Sequence, residues 1–393
     1  MISEAKALSE ILSRVSPLSS RRAKLSESIG GFSAKAYAAT APLPAFDNSA
    51  MDGYAVASAD LEKGKRLRVV AEQPAGLDKN LNVGPGETVR IFTGAPVPIG
   101  TAAVVMQEEV ERDGEFVVLS AQPENGEFIR RRGCDLAQGQ EIVAQGQRIT
   151  PIIAGLLASQ GFAEVEVGGP VKAALISTGD EVIPPGASRG PGQIFESNST
   201  VLAGMLKQLG AKVMSVVHSP DDPAKLRQEV DAAASSDVLI ITGGVSVGER
   251  DFVQEVLRAA GAEIDIWRVA IKPGKPFLFG RLKNGFVFGL PGNPVSAFVT
   301  FLMLVRPAIL KLMGASAAAS RLSRIRCELS EDVLNDGDRA HYFRGHHEAG
   351  RFSLVGRQES HALFGLSRCN GLLRLEPGGD LKAGSSVEIE AWE

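Results

Sequence analysis

Cysteine is scarce in this chain of 393 residues: Cys134, Cys327 and Cys369 are the whole complement. They are odd in number, far apart and form no CxxC pair. That excludes a disulfide framework and fits a reducing, cytoplasmic setting. Positive charge is short as well. Lys and Arg number 42 against 46 Asp and Glu, a formal net charge of −4. General nucleic-acid binding is therefore not expected, and an anionic guest has to be met by local cations. The longest apolar run, Ala297–Val305, is too short to span a bilayer, so no membrane association is expected. The opening residues MISEAKALSEIL are charged throughout, so no secretory leader is expected either. Missing too are a Walker A loop, a G-x-G-x-x-G after a strand, an HExxH pair and Cys/His zinc spacing.

What is present is glycine, 43 residues of it, in a chain that is 44% hydrophobic and 22% charged. Such a length accommodates about two to four globular domains. Residues 2–14 read as a helix with Leu8, Ile11, Leu12 and Val15 on one side, and residues 40–48 as an extended Pro-rich segment. From 54 to 130 short strands (Leu67–Ala71, Thr88–Phe92, Ala103–Gln107, Phe116–Leu119) alternate with Gly/Pro turns, which is a β-rich pattern. Thr150 and Pro151 read as the N-cap and first position of a helix over 150–160.

The rhythm changes at 170. Strands Val171–Ser177, Val213–Val217, Val238–Thr242 and 264–269 alternate with helices Asn198–Leu209, 223–234 and 251–260. That alternation predicts a mostly parallel sheet covered on both faces, with ligands outside the carboxyl ends of its strands. Beyond the small-residue linker after Gly314, short β segments over 321–393 predict a small barrel or sandwich.

Several segments carry chemistry. Lys272-Pro273-Gly274-Lys275-Pro276 and Leu290-Pro291-Gly292-Asn293-Pro294-Val295-Ser296 frame an expected hairpin (Phe277–Gly280, a turn at 283–285, Phe286–Leu290), with the lysines at one end and the rigid loop at the other. A Pro/Gly loop opening a helix presents backbone N–H groups, and with lysines beside it the natural guest is an anion. Gly243 and Gly244 follow a buried strand and free the backbone to form an anion nest, to which Ser246 adds a hydroxyl. The same letters spell G-x-S-x-G (Gly244, Ser246, Gly248), a nucleophile-elbow pattern; a third reading is glycine needed only for tight packing. Ser177-Thr178-Gly179-Asp180-Glu181 ends another strand with two carboxylates. Beside phosphates these suit Mg²⁺; otherwise they suit an ordinary turn. Asp221, Asp222 and Asp251 are further loop acids, of which Asp222 before Pro223 has the character of an N-cap. Residues 46–55 are densely polar, Thr93-Gly94 ends a strand, and Arg130-Arg131-Arg132 reads most simply as a solvated charge run.

Taken in order, PAFDNSAMDGYAV (44–56), IFTGAPVPIGTAAVVMQEE (91–109), IRRRGCD (129–135), STGDE (177–181), IFESN (194–198), GGVSVGERD (243–251), IKPGKP (271–276) and LPGNPVS (290–296) resemble the MoeA family of molybdopterin molybdenumtransferases. A weaker echo, SHALFGLSRCNGLL, lies at 360–373. The match runs over nearly the whole chain and extends to the E domains of a plant counterpart and of animal gephyrin. The resemblance implies an elongated multidomain subunit. Its central three-layer α/β molybdopterin-binding domain is residues 170–318. A mixed linker domain is assembled from 1–20, 40–47 and 132–169, a β-rich domain from 21–39 and 48–131, and a C-terminal β-barrel from 319–393.

The implied reaction takes adenylylated molybdopterin and molybdate, releases AMP in a Mg²⁺-dependent step and inserts molybdenum at the dithiolene, the final step of molybdenum cofactor synthesis. The implied assembly is a homodimer with each site shared between subunits. Molybdopterin adenylyltransferase and cofactor-maturation proteins are possible further partners. Glu181, Asp221 and Asp251 match acidic positions expected to hold Mg²⁺ or position water. Lys272 and Lys275 match lysines that neutralise phosphate or molybdate. Ser177, Thr178, Gly179, Gly243, Gly244, Ser246, Pro291, Gly292, Asn293, Pro294 and Ser296 line the expected pterin- and nucleotide-binding surface. Asp52, Thr93 and Asp135 match positions supplied by the partner subunit. Cys134 stands where the family usually has Glu, which weakens any role for an acid there, and residues 19–40 match the family's apolar helix pattern poorly. Nothing functional is carried onto the C-terminal domain. Two other readings stay open: a scaffold that keeps the fold, against which the lack of an attached partner domain counts, and the adenylyltransferase that precedes insertion, against which the N- and C-terminal modules count.

Overall fold

Strands rich in Val, Ile and Ala set the frame of the computed structural model, which describes residues 1–245 and 252–392. The chain forms two compact units: Met1–Lys35 with Gln145–Ala154 and Glu164–Glu393, and Ala36–Ala144 with Gly155–Ala163. In the second unit a six-stranded sheet runs in the order Thr101–Met106, Gly53–Ala57, Glu87–Ile91, Arg66–Gln73, Phe116–Leu119, Val110–Asp113. Alternate residues of Gly53–Ala57 feed opposite cores, Ala55 and Ala57 on one face, Tyr54 and Val56 on the other.

The first unit is built on the segment read as α/β. Its elements are β1 (Lys172–Thr178), α1 (Asn198–Leu209), β2 (Lys212–Ser219), α2 (Pro223–Ala233), β3 (Val238–Thr242), α3 (Val253–Ala259), β4 (Glu263–Trp267), β5 (Val269–Lys272), β6 (Leu278–Leu282), β7 (Gly285–Leu290), α4 (Pro294–Thr300) and α5 (Arg306–Leu312). The sheet order is β2-β1-β3-β7-β6-β4. β2, β1, β3 and β7 are parallel; β6 and β4 add antiparallel pairings at one edge. Ala173, Leu175, Val238 and Ile240 face one hydrophobic core, while Ala174, Ile176, Leu239 and Ile241 face the other. A parallel sheet buried on both faces explains why these strands read as continuous apolar runs.

Local sequence explains the helix ends. Gly210 at φ +90° closes α1, and the Asp222 carboxylate accepts from the N–H groups of Ala224 and Lys225 at 2.8 and 3.3 Å, so Asp222 is the N-cap of α2. Between α4 and α5, Phe301–Val305 is π-helical and the Arg306 N–H reaches back to the Phe301 carbonyl. Pro307 follows, and its missing N–H and ring make the helix widen there. The whole Pro294–Leu312 helix, 19 residues, is long and apolar enough to cross a membrane, yet 83% of its apolar window is buried, so it is a core helix.

Two expectations need correction. The hairpin β6–β7 pairs Leu278 with Gly289, so the lysine segment and the Pro-Gly-Asn-Pro loop lie at the same end, opposite the turn, because the first residue of one strand faces the last of the other. The expected strand 264–269 also divides. β4 stays in the α/β sheet, Arg268 turns the chain at φ +72°, and β5 pairs in parallel with Ala340–Glu348 in another sheet.

That other sheet closes on itself. Ser323–Leu329, Arg351–Leu354, Ala340–Glu348, Gly371–Leu375 and Ser386–Ala391 pair in a ring, a five-stranded barrel around Leu329, Phe352, Leu373 and Ile389. A barrel has no free edge, and here β5 extends one strand of it back toward the α/β core.

Candidate functional site

The strand order of the α/β sheet reverses between β1 and β3, since β2 lies on one side of β1 and β3 on the other. A crevice is expected outside the carboxyl ends of those two strands. A cavity of about 690 Å³ lies there, lined by Ser177, Thr178 and Gly179 after β1, by Thr242, Gly243 and Gly244 after β3, and by Pro291–Pro294 and Ser296 after β7. Glu181 and Asp221 line it too, as do Ser197 and Asn198 at the start of α1.

The backbone of this cradle is dictated by glycine. Gly243 has φ +90°, and a Cβ there would meet the Thr178 carbonyl and hydroxyl oxygens at 2.7 Å. Gly274, between the two lysines, has φ +120°, and a Cβ would collide with the Thr300 methyl. Both positions combine a left-handed conformation with close approach, so only glycine fits.

Asn198 ties the cradle together. Its side-chain amide donates to Thr242 Oγ1 at 2.9 Å and to the Gly292 carbonyl at 2.8 Å, and Thr242 in turn donates to the Pro291 carbonyl at 3.1 Å. Thr178 Oγ1 and Asn198 Oδ1, both from residues that line the cavity, are buried without a hydrogen-bond partner among the described residues. Buried polar atoms are normally satisfied, so this cluster is suited to a polar guest. Asp180 accepts the N–H of Asp221 at 3.0 Å, which ties the two acidic loops to each other. Ser177 Oγ lies 3.0 Å from His218 Nδ1, because those residues are directly paired across β1 and β2.

A second cavity, about 920 Å³, adjoins the first and shares Pro276, Asn293, Ser296 and His361 with it. Lys272 and Lys275 line it, as expected of an anion site. So do Arg339, His341, Arg357 and Ser360, all from the barrel segment onto which nothing functional was carried. Asn293 donates to Ser360 Oγ at 3.0 Å, so the Pro-Gly-Asn-Pro loop is fastened to that segment. The buried Arg344 holds the far wall by donating to the carbonyls of Arg357 and Glu359 at 2.5 and 3.0 Å. Arg339, His341 and Arg357 carried no local signal in the sequence, and Ser360 only the weak echo at 360–373, since a histidine or arginine on a short strand is unremarkable until topology brings it opposite Lys272.

The remaining expected residues fall elsewhere. Asp52 and Thr93 sit together in the second unit: the Thr93 N–H and hydroxyl both donate to Asp52 Oδ1, at 2.7 and 2.8 Å. Those bonds hold the Asp52 carboxyl below its ordinary range. Asp135 and Cys134 are exposed in the same unit. Arg131 is not simply solvated, because it pairs with Asp47 at 2.7 Å. The backbone N–H of Arg132, then the Arg131 guanidinium, lower the Asp47 pKa. Ser246 and Asp251, with the G-x-S-x-G reading, lie outside the described residues. Among the described residues no group of three or more His, Cys, Asp or Glu is placed to hold a metal ion; Glu181 and Asp221 remain as two carboxylates on one cavity wall.

Comparison with known proteins agrees along the chain. Family models match residues 2–161 (MoeA N-terminal region, domain I and II), 174–311 (probable molybdopterin binding domain) and 326–392 (MoeA C-terminal region, domain IV). A molybdopterin molybdenumtransferase of Haemophilus influenzae is 39% identical over 89% of this chain and 88% of its own length. One from Synechococcus elongatus is 34% identical over 100% of both. A crystal structure of the molybdopterin biosynthesis MoeA protein from Pyrococcus horikoshii superposes with a TM-score of 0.82 at 28% identity, covering 100% of this chain and 99% of the other.

Proposed function

The chain belongs to the MoeA family of molybdopterin molybdenumtransferases, enzymes of molybdenum cofactor biosynthesis, and from that premise we propose which part of the molecule holds which part of the reaction. The strand-end cradle receives the pyrophosphate-bearing pterin nucleotide. Its glycine turns let the backbone approach phosphate oxygens, and the buried Thr178 hydroxyl supplies a donor. The adjoining cavity receives molybdate, with Lys272, Lys275 and Arg339 opposing its two negative charges.

The observation that carries this reading is the continuity of the two cavities through Asn293, Ser296, Pro276 and His361. An oxyanion and an adenylylated pterin held side by side meet without leaving the protein, which is the entropic part of the catalysis. Hydrolysis breaks the P–O–P bridge of the adenylylated substrate. Water adds to phosphorus, AMP leaves, and molybdate joins the dithiolene sulfurs with loss of an oxo group as water.

Glu181 and Asp221 fit a Mg²⁺ site of the kind that uses one or two carboxylates plus substrate phosphates. Mg²⁺ bound there would neutralise phosphate oxygens. The chain's own acids would orient the attacking water, while the N–H groups of the glycine turns keep the phosphates in register. We further propose a cytoplasmic homodimer in which a second copy supplies Asp52, Thr93 and Asp135. The residues lining both cavities all come from one unit, and Asp52 and Thr93 present a preformed, exposed hydrogen-bonded pair on the other.

The test is direct. Pure protein with adenylylated molybdopterin and Mg²⁺ is expected to release AMP in a molybdate-dependent manner, and AMP release indifferent to molybdate would overturn the assignment. Synthesis of adenylylated molybdopterin from ATP by this protein would favour the adenylyltransferase reading instead.

A further inference from the structure

We propose that His341 is a direct, uncharged hydrogen-bonding contact to the oxyanion in the cavity of Lys272, Lys275 and Arg339. The inference rests on the molybdate reading of that cavity and adds a residue from the barrel to it.

Strand pairing sets His341 beside Lys272. β5 and the Ala340–Glu348 strand pair in parallel with Lys272 opposite His341, so the two side chains leave the sheet on the same side. Both line the cavity. The His341 ring also has a polar atom left without a bond. His341 is 5% exposed, and its Nε2 is buried with no hydrogen-bond partner among the described residues. An unsatisfied buried group of this kind costs about 1–3 kcal/mol, and a guest in the cavity would remove that cost.

The surrounding charges keep the ring neutral. Burial first, then Lys272, Arg344 and Arg339, oppose protonation of the ring, with Asp336 acting weakly the other way, and push its pKa down to about 4. The imidazole is therefore neutral near pH 7, with one N–H donor and one lone pair. A fully deprotonated tetrahedral oxyanion only accepts hydrogen bonds. Lys272 and Lys275 carry the two positive charges that balance a dianion, Arg339 being paired with Asp338 at 3.1 Å, so a neutral N–H adds direction without a further charge. The ring is held by Phe343, with centroids 3.8 Å apart, which fixes where that N–H points.

The experiment titrates full-length protein with molybdate, and separately tungstate, by calorimetry, using wild type, His341→Phe, His341→Gln and Lys272→Ala. Phe keeps the ring's bulk without nitrogen; Gln keeps an amide donor. The expected result is about tenfold weaker oxyanion binding in His341→Phe, the worth of one neutral hydrogen bond, and binding within about threefold of wild type in His341→Gln. Wild-type affinity in His341→Phe, or equal losses in Phe and Gln, would overturn the inference and leave a packing role. Unchanged binding in Lys272→Ala would instead overturn the oxyanion reading itself. If His341→Phe fails to fold, the ring-nitrogen NMR signals of ¹⁵N-histidine-labelled wild type decide: Nε2 or Nδ1 of His341 must shift on adding molybdate, and an unmoved signal at saturation rejects the contact.

Discussion

Replacing Asn198 by Leu should open the site from behind while leaving its charged groups in place. The Asn198 amide joins the start of α1, the end of β3 and the Pro-Gly-Asn-Pro loop through two donated bonds, at 2.9 and 2.8 Å, from a residue only 9% exposed. Leu nearly conserves volume, so the loss is polar. Each bond is worth about 0.5–1.5 kcal/mol net, and the Gly292 carbonyl is left without its donor. The Thr242 hydroxyl keeps its bond to the Pro291 carbonyl, which limits the damage at that end. About 2 kcal/mol in all is expected, or about 4–8 °C in the Tm of a unit this size. Because the loop borders both cavities, KM for the adenylylated pterin should rise by about tenfold or more, with a smaller fall in kcat, since a misplaced loop weakens binding and alignment together. Asn198→Asp should be worse for binding than Leu at equal volume. It sets a carboxylate against two acceptors and beside the phosphate cradle. Differential scanning calorimetry and single-turnover AMP release measure the two effects. A Leu variant within about 0.5 kcal/mol of wild type and with unchanged KM would refute the bridge. Lost stability with unchanged KM would refute its link to the site.

Gly243→Ala should fold poorly or lose activity by at least about a hundredfold, because the Cβ meets the Thr178 backbone at 2.7 Å in a left-handed residue; normal turnover would show that the cradle yields. Arg344→Met should leave both lysines in place but release the 357–359 wall, raising the molybdate Kd by about fivefold or more; calorimetry checks this. The depressed pKa of His341 makes a pH prediction. Its native-state value of about 4 lies below the ordinary 6.5, so the unfolded chain binds more protons between them. The contribution to stability is therefore complete above pH 6.5 and declines as pH falls toward 4, by up to about 3 kcal/mol. His341→Gln should flatten that part of the denaturant-midpoint profile, and a variant with the wild-type slope would contradict the assignment. Finally, Asp52→Ala and Lys272→Ala should each be inactive alone yet regain about a quarter of wild-type turnover when the two are co-expressed, since half of randomly paired dimers carry one intact site of two. No recovery in proven mixed dimers would refute the shared site.

Much of the α/β scaffold was legible because its signals are local. The apolar run of β3, the helix ending at Gly210 and the Asp222–Pro223 start are each decided within a few residues of chain. The glycines at 243 and 244 were legible as a cradle for the same reason, though only the clash distances to Thr178 and Val253 show that nothing larger fits. The hairpin was legible as two strands, but its ends were read the wrong way round. Which loops share an end follows from antiparallel pairing in three dimensions, not from the order of letters.

The sequence by itself determined the family, the glycine turns at the strand ends and the lysines at 272 and 275. These are short-range patterns, in which proline, glycine and charge act on their immediate neighbours. Only the tertiary structure decided that β5 leaves the α/β sheet at Arg268 and pairs with a barrel strand, setting His341 opposite Lys272 and bringing Arg339, Arg357 and Ser360 into the same cavity. Parallel pairing joins residues far apart in the chain through backbone hydrogen bonds that are the same for every residue type, so no side chain in either segment announces its partner. The physical cost of leaving a buried imidazole nitrogen unsatisfied appears only once that pairing exists.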